Sequence, residues 1–200
     1  CVLLYALSIL LAGGVAQVTL ALRRRAFAAG LALLDATRHD SLTGALSRGY
    51  VTELAQHDVA LARRHARPLA VAMLDIDHFK EVNDTYGHAT GDRVLCAMVA
   101  TCRHALRASD YLGRIGGEEF VCVMPEAAAV DALACAERIR RDIATARTPT
   151  DAGALRITVS IGVAVLDGTY DTWEALLRAA DSALYQAKDA GRDRIVLATA

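Results

Sequence analysis

The chain has 200 residues, of which 54% are hydrophobic and 22% are charged, and its formal net charge is −1. This length accommodates one ordinary domain and a smaller segment. The near-balanced charge argues against a nucleic-acid or polyanion binder, so any phosphate site has to be local. The cysteines include no C-x-x-C pair, which argues against a zinc site or a disulfide framework. We predict buried free thiols in a reducing compartment at Cys1, Cys96, Cys102, Cys122 and Cys135.

Residues 1–22 contain no charged side chain, and Arg23-Arg24-Arg25 follows directly. A helix of that length spans about 30 Å, the thickness of the hydrocarbon core of a bilayer. A basic cluster at its end marks the cytoplasmic side. We therefore predict a transmembrane helix over 1–22, the last span of a longer membrane region, with the rest of the chain cytoplasmic at the inner membrane. A core helix or a signal peptide is the alternative, but signal peptides carry their charges before the apolar run.

Residues 23–39 place Phe27, Leu31 and Leu34 among alanines and arginines, which predicts a helical stalk. The segment Asp40-Ser41-Leu42-Thr43-Gly44 interrupts this pattern, so we place a domain over residues 40–200.

Helices and strands are predicted to alternate within this domain. Helical spacing of apolar residues recurs in four segments, at 51–64, 94–106, 130–143 and 173–187. The continuous apolar run at 69–74 predicts a central strand covered on both faces, and 75–91 is predicted to be a polar loop.

Three further strands complete the predicted sheet. Residues 111–115 and 120–124 are expected to form a tight hairpin whose turn uses positive φ at Gly116 and Gly117. Residues 157–165 alternate in size and polarity, which predicts a strand with two unlike faces, and 194–197 form a short last strand. The sum is an α+β domain with helices packed on a mixed or antiparallel sheet, compatible with a ferredoxin-like βααββαβ core.

Two acidic pairs lie at the ends of predicted strands. Asp75 and Asp77 follow the central strand, and Glu118 and Glu119 lie at the hairpin tip. If the hairpin lies beside that strand, the acids converge. Carboxylates without His or Cys suit Mg²⁺ or Mn²⁺ rather than zinc, and such a site serves nucleotide chemistry. Each pair taken alone is explained more simply as a strand end or a solvated turn.

Three motifs identify a family. Gly116-Gly117-Glu118-Glu119-Phe120 is the GGEEF form of the GGDEF signature. Residues 75–92 resemble that family's D-x-D-x-F-K-x-x-N-D-x-x-G-H-x-x-G-D segment, and residues 187–192 resemble its A-K-x-x-G-R. Their order and spacing agree over about residues 40–198. The chain therefore resembles diguanylate cyclases with a nucleotidyl cyclase fold, which condense two GTP molecules into cyclic di-GMP and release two pyrophosphates.

The resemblance implies a role for each motif residue. Asp75, Glu118 and the carbonyl oxygen of Ile76 would hold two Mg²⁺ or Mn²⁺ ions per active site, and Glu119 would be a further catalytic acid, either a metal ligand or a base. Residues implied to contact the phosphates are Phe79 and Lys80, through their amides and the Lys80 side chain, together with Lys188 and Arg192. Lys188 and Arg192 would equally suit a helix C-terminus.

The resemblance also assigns the guanine site to Asn83 and Asp92. An aspartate accepts from both N1–H and the exocyclic amine of guanine, whereas adenine offers no such pair of donors. A buried Asp92 would be left unpaired against ATP, and sites built on buried hydrogen bonds discriminate strongly.

A second site is implied just before the hairpin. The run from Arg107 to Asp110 resembles the family's R-x-x-D inhibitory site, and Arg138 matches a position that completes this site from a partner domain in some relatives. Arginine can fork onto O6 and N7 of guanine, so cyclic di-GMP would bind here and inhibit its own synthesis. The alternative is an Arg–Asp pair at a helix end with little energetic value.

The implied reaction needs a homodimer, because each domain supplies half of the catalytic arrangement, and the stalk and membrane segment would hold two copies together. A catalytically silent GTP or cyclic di-GMP binding module, a membrane-anchored dimerisation domain and a cyclase with adenine-containing products remain alternatives. The departures from the family pattern touch no metal or base position, so no loss of activity is predicted from Ala45, Ser47, Gly49 and Asp193.

Overall fold

The computed structural model describes Arg23, residues 38–150 and residues 153–199. The chain divides into two units between Arg38 and His39, and the unit that begins at His39 contains the following elements. They are α1 (Arg48–His65), β1 (Leu69–Ile76), α2 (Phe79–Tyr86), α3 (His88–Ala105), β2 (Tyr111–Arg114), β3 (Glu119–Pro125), α4 (Ala129–Thr145), β4 (Thr148–Thr150), β5 (Gly153–Leu155), β6 (Val159–Val165), α5 (Trp173–Asp189) and β7 (Ile195–Leu197).

Five strands form one mixed sheet in the order β2-β3-β1-β6-β7, while β4 and β5 form a separate hairpin. Strand β1 is antiparallel to both β3 and β6, β2 is antiparallel to β3, and β7 is parallel to β6. The main sheet and its helices follow the predicted βααββαβ order from β1 to β6, with α1 before it and α5 and β7 after it. The predicted α+β architecture with a mixed central sheet is confirmed.

Helices cover both faces of this sheet because side chains alternate along β1. Ala70, Ala72 and Leu74 contribute to one buried cluster, which contains residues of α2, α3 and α4. Leu69, Val71 and Met73 contribute to a second cluster, with residues of α1 and α5. All eight residues of β1 are buried, as the apolar run predicts, and each large apolar side chain buried in this way contributes about 1.5–3 kcal/mol.

The predicted polar loop at 75–91 is wrong. It contains the eight-residue helix α2, and α3 begins at His88. Phe79 and Val82, one helical turn apart, are the residues that α2 buries. Gly87 separates the two helices with a φ of 79°, a conformation that favours glycine.

Both faces of strand β6 are buried, so the two faces differ in the size of their side chains rather than in solvent exposure. The small residues Ser160, Gly162 and Ala164 are all buried there, and β6 lies close to α5. A Cβ atom on Gly162 would lie 2.0 Å from the Ala180 carbonyl oxygen of α5. The small side chains of β6 therefore allow α5 to pack closely against the strand. The alternation of residues along β6 does not predict this close packing.

The described cysteines are free thiols, as predicted. Cys102, Cys122 and Cys135 are buried, and burial raises the pKa of the Cys102 thiol to about 12. The expectation of burial is wrong for Cys96, which is exposed on α3 with its thiol 3.3 Å from the Leu42 carbonyl oxygen. Its place among polar α3 residues on the outer face of the helix explains the exposure.

The predicted transmembrane helix at residues 1–22 and nearly all of the predicted stalk lie outside the described residues. In the part of the chain that the structure describes, no helix has the length and apolar character needed to cross a membrane. Membrane attachment therefore stays a prediction from the sequence.

The departures from the family pattern near the domain start are accommodated locally. Ser47 caps α1 because its hydroxyl accepts the Tyr50 N–H at 3.4 Å. Ala45 is 1% exposed and belongs to the core. A Cβ atom on Gly49 would meet no atom within 4 Å, so no steric reason for glycine is present there.

Candidate active site

The central position of β1 decides where its last acid lies. Asp75 is paired with Glu119 of β3 on one side and with Ser160 of β6 on the other. The hairpin therefore does lie beside the central strand, and the convergence of Asp75 with the hairpin acids occurs as the sequence predicts. Asp75 is only 5% exposed, so it is the most deeply buried part of this acidic site.

Helix α5 places a cation on that carboxylate. The Lys188 Nζ lies 2.8 Å from Asp75 Oδ2. Burial raises the pKa of Asp75, the Lys188 ammonium opposes this rise, and the negative charges of Glu118 and Glu119 add to it. The net shift of the Asp75 pKa is upward, because burial, the largest cause, outweighs the Lys188 ammonium.

The hairpin tip has a wider turn than predicted. Strand β2 ends at Arg114 and β3 begins at Glu119, whose carbonyl oxygen accepts the N–H groups of Ile115 and Gly116 at 2.9 and 3.3 Å. Neither Gly116 nor Gly117 has a positive φ, so the predicted two-residue turn with positive φ is wrong. A Cβ atom on Gly116 would lie 2.7 Å from Glu119 Oε2, the far end of a flexible side chain, so a methyl group there would displace the Glu119 carboxylate.

Arg114 fixes the shape of this tip. Its Nε donates to the carbonyl oxygens of Gly116 and Gly117 at 3.2 and 3.1 Å, and its Nη2 donates to Gly117 at 2.7 Å. Its Nη1 lies 2.9 Å from Asp40 Oδ1. The hairpin that carries Glu118 and Glu119 is therefore attached to the first turn of the domain.

The acid set fits a hard divalent cation in its chemistry. Among the described residues, no three His, Cys, Asp or Glu side chains are grouped closely enough to hold a metal by themselves. The set implied by the resemblance is smaller, since it consists of two carboxylates, from Asp75 and Glu118, and the main-chain carbonyl of Ile76. Burial is the largest cause of the raised Asp75 pKa, and the negative charges of Glu118 and Glu119 add to it; a divalent cation bound here would offset both effects.

The residues assigned to the base lie on the neighbouring helices α2 and α3. Asn83 is half-buried on α2 and packs directly against Gly91 of α3, where a Cβ atom would lie 2.0 Å from Asn83 Oδ1 and 3.2 Å from Phe79 Cζ. Asp92 is the next residue of α3 and is exposed. Discrimination against adenine therefore cannot rest on burial of Asp92 by this domain alone.

The residues assigned to the phosphates surround the end of β1. Lys80 is exposed in the first turn of α2, directly after His78, whose φ of 58° turns the chain from β1 into the helix. Arg192 is exposed in the turn after α5 and also has a positive φ, 61°. Lys188 already lies within the acid cluster, on Asp75.

The predicted inhibitory site lies between the end of α3 and α4. Asp110 Oδ2 accepts the main-chain N–H of Arg107 at 2.9 Å, and the Arg107 Nη2 lies 3.8 Å from Asp131 Oδ1 of α4. The Arg138 Nη2 donates to the Ala105 carbonyl oxygen at 2.5 Å. The geometry places Arg107, Asp110 and Arg138 around one helix end, within a single domain.

Sequence reasoning missed two supporting side chains. Asp77 was grouped with the converging acids, but its carboxylate accepts hydrogen bonds from Thr158 and Ser160, both on the β6 side of β1. Arg114 received no role, although its place two residues before the Gly-Gly pair could have suggested one. Asp77 and Arg114 therefore support the site by holding the segments next to it, the turn after α5 and the hairpin tip.

Comparison with known proteins identifies what this arrangement resembles. Residues 37–194 match the family model described as "Diguanylate cyclase, GGDEF domain". The response regulator PleD of Caulobacter vibrioides is 43% identical over 159 residues, which cover 78% of this chain and 35% of that protein. The chain thus spans about a third of the length of this curated relative.

Two solved structures share the fold. The coiled coil and GGDEF domain of DgcB from Caulobacter crescentus, in complex with c-di-GMP, superposes with a TM-score of 0.85 at 29% identity and covers 94% of this chain and 99% of that one. The active GGEEF domain of a diguanylate cyclase from Vibrio cholerae gives a TM-score of 0.73 at 31% identity, covering 77% of this chain and 97% of that one.

Proposed function

We propose, from the premise that this chain belongs to the GGDEF diguanylate cyclase family, that its domain condenses two GTP molecules into cyclic di-GMP. The observation that carries the proposal is the register of β1 with β3. It sets Asp75 opposite Glu119 at the tip of the GGEEF hairpin, while Lys188 contacts Asp75 from α5. The Vibrio cholerae domain has the same GGEEF form and is an active cyclase domain.

Asp75, Glu118 and the Ile76 carbonyl are the groups that would hold two Mg²⁺ or Mn²⁺ ions. Bound there, the ions supply Lewis-acid activation of the attacking hydroxyl and neutralise the triphosphate charge. The protein's own contribution is to hold these oxygens in place. The sheet register fixes Asp75, and the hydrogen bonds of Arg114 to the hairpin tip fix the segment that carries Glu118.

The chemical step joins two nucleotides. The 3′-hydroxyl oxygen of one GTP attacks the α-phosphorus of the other, the bond to the β-phosphate oxygen breaks, and pyrophosphate leaves. A second equivalent step closes the ring. We propose that Glu119, which is half-buried and paired with Asp75 in the strand register, accepts the hydroxyl proton.

Cationic side chains bind the phosphates. Lys80 comes from α2, whereas Lys188 and Arg192 come from the end of α5 and the turn after it, so two separate segments bring charge to a triphosphate and hold it for in-line attack. Asn83, packed against Gly91, offers its amide to the guanine, and Asp92 accepts from the Watson–Crick edge. One domain holds one GTP, so catalysis requires two domains facing each other as a homodimer.

The product is proposed to inhibit the enzyme. Arg107 and Asp110 would recognise a guanine of cyclic di-GMP, with Arg138 as a further donor. The DgcB domain is known in complex with c-di-GMP. Arg107 has a side chain 62% exposed and only a distant ion pair with Asp131, so little has to be broken for it to bind a ligand.

We further propose that residues 1–22 attach the enzyme to the inner membrane as a transmembrane helix and that residues 23–39 form the stalk before a cytoplasmic domain at 40–200. The uncharged run and the arginines after it support this assignment.

The decisive experiment incubates the chain, dimerised through a fused coiled coil, with GTP and Mg²⁺ and analyses the products. We expect pyrophosphate and cyclic di-GMP from the unaltered chain and none from Glu119→Gln. The matched control is Glu53→Gln, an exposed residue of α1, which should retain full activity.

GTP binding without turnover in the forced dimer would reject the cyclase and favour a silent binding module. Failure to bind GTP would favour a structural dimerisation domain, and adenine-containing products from a GTP and ATP mixture would reveal a different nucleotide specificity.

A further inference from the structure

The buried carboxylate of Asp77 has no place in the chemistry described above. Asp77 is 5% exposed and directly follows β1. Its Oδ1 accepts the Ser160 hydroxyl at 2.7 Å, and its Oδ2 accepts the Thr158 hydroxyl at 2.7 Å. A third donor is the main-chain N–H of Asp193, 3.1 Å from Oδ2. The carboxylate therefore links β1, β6 and the turn after α5.

That turn has an unusual backbone. Gly191, Arg192 and Asp193 are consecutive residues with positive φ, at 110°, 61° and 45°. Only glycine adopts such values freely, so the two non-glycine residues have to be held there by their surroundings. The Ala187 carbonyl accepts the Arg192 N–H at 3.0 Å, and Asp77 accepts the next N–H along the chain.

A second group holds the turn from the outside. The Arg140 Nη1 of α4 lies 2.6 Å from Asp193 Oδ1, and Arg140 is itself paired with Glu137 at 2.8 Å. Asp193 is thus bound through its main chain by a buried carboxylate and through its side chain by an arginine.

The D-x-D spacing gives this arrangement its meaning. Asp75 is the second-last residue of β1 and Asp77 the first residue after it, and the two acids hold the two ends of one short segment of chain. Asp75 contacts Lys188 at its beginning and Asp77 contacts Asp193 at its end. Between these two points lies Arg192.

We propose that Asp77 is a positioning residue that fixes the left-handed turn from which the Arg192 guanidinium reaches the triphosphate. Asp77 does not touch the nucleotide; it acts by holding the backbone on the carboxyl side of Arg192. The inference rests on the proposed function, because it takes Arg192 as a phosphate ligand.

The test measures affinity rather than turnover. The whole chain is titrated with 3′-deoxy-GTP, which lacks the attacking hydroxyl, and with GMP, which lacks the β- and γ-phosphates. Asp77→Asn should weaken 3′-deoxy-GTP binding about tenfold, as expected for one charge-assisted phosphate contact, and change GMP binding less than about twofold. The matched control Asp181→Asn, an exposed residue of α5, should change neither.

A double-mutant cycle separates positioning from general destabilisation. If Asp77 acts through Arg192, Asp77→Asn added to Arg192→Ala should weaken 3′-deoxy-GTP binding by less than about twofold beyond Arg192→Ala alone. Multiplying effects would overturn the inference, as would unchanged binding by Asp77→Asn.

Should Asp77→Asn fail to fold, Thr158→Val removes one donor from the same Oδ2 atom at a half-buried position. It should weaken triphosphate binding about threefold with GMP unaffected, and an unchanged affinity would overturn the inference. Failure of the unaltered chain to bind 3′-deoxy-GTP would reject the proposed function itself. Equal binding of 3′-deoxy-GTP by the unaltered chain and by Asp77→Asn would reject only the role of Asp77.

Discussion

Arg114 contacts Asp40 at 2.9 Å while it also holds the hairpin tip through Gly117. The two side chains are 16% and 23% exposed, so water screens the pair only in part. Burial alone would raise the pKa of Asp40, but hydrogen bonds from Thr43 and Arg114 outweigh it, and the pKa lies below its usual value. The first turn of the domain and the acidic hairpin are therefore joined by one guanidinium group.

Removing this guanidinium should reduce turnover more than binding. Arg114→Met leaves Glu118 and Glu119 in place but releases the tip, and a displacement of about 1 Å can cost about 100-fold in rate. We expect kcat of the forced dimer to fall tenfold to 100-fold and KM for GTP to change less than about threefold. Arg67→Met, which breaks the exposed pair with Glu126, should leave both constants nearly unchanged. An equal fall in both variants would contradict the assigned role of Arg114.

The contact between α2 and α3 predicts a glycine requirement in the base pocket. In Gly91→Ala the new methyl group would start 2.0 Å from Asn83 Oδ1 and force this side chain away from the base. We expect GTP affinity, measured by calorimetry, to fall at least tenfold, which corresponds to about 1.4 kcal/mol.

Gly49→Ala is the matched control, because it is also a helical glycine but faces open space. Its thermal stability should rise, since alanine is about 0.5–1 kcal/mol better than glycine in a helix, and its GTP affinity should stay the same. Normal GTP affinity in Gly91→Ala would show that Asn83 does not need its present position.

The raised pKa of Asp75 predicts a pH-dependent cost to stability. The native state holds the Asp75 proton more tightly than the unfolded chain, whose pKa is near the ordinary 3.8. The stability contributed by this group is fully present below that value and is lost as the pH rises through the raised native pKa. At neutral pH the buried carboxylate therefore destabilises the metal-free domain.

Asp75→Asn should accordingly raise the free energy of unfolding at pH 7 by about 1 kcal/mol, as is common when a charged active-site group is removed, and abolish cyclase activity. Urea denaturation in a chelator at pH 7 and near pH 3 measures the difference. The gain should vanish near pH 3. A gain of the same size at both pH values would indicate a packing effect instead of a charge effect.

The inhibitory site predicts a separation of activity from regulation. Arg107→Ala should leave initial turnover within about twofold and raise the concentration of cyclic di-GMP needed for half inhibition at least tenfold, since a bidentate guanine contact is worth about 1–3 kcal/mol. Arg141→Ala, an exposed arginine of α4, serves as the control and should be inhibited normally. Inhibition of Arg107→Ala at the normal concentration would reject the assignment.

The sequence alone predicts the elements whose apolar pattern is long. The buried strand β1 and the helices α1, α3, α4 and α5 follow from periodicity, whereas the pairing of the hairpin with β1 entered the sequence reasoning only as a condition, which the structure fulfils. The short helix α2 could not be found in this way. It buries only Phe79 and Val82, and its N-cap residue His78 makes no capping hydrogen bond through its side chain, so the sequence carries little helical signal here.

Details of the site depend on distances that no spacing reveals. The sequence predicts that Gly116 serves backbone conformation, but its φ is not positive, and the Glu119 carboxylate lies beside it. Asp77 looked equivalent to Asp75, but hydroxyl groups from the next strand surround it. The sequence pattern shows which residue types are present, whereas the role of Asp77 depends on hydrogen-bond partners more than 80 positions away along the chain.

The distribution of thiols has a practical consequence for spectroscopy. Cys102, Cys122 and Cys135 are buried and will resist alkylation, so among the described cysteines Cys96 alone presents its sulfur to a maleimide or nitroxide reagent. With Cys1 replaced by serine, a paramagnetic label at Cys96 would sit beside Leu42, close to the first turn of the domain. Distances between two such labels would follow the approach of paired domains without altering any core residue.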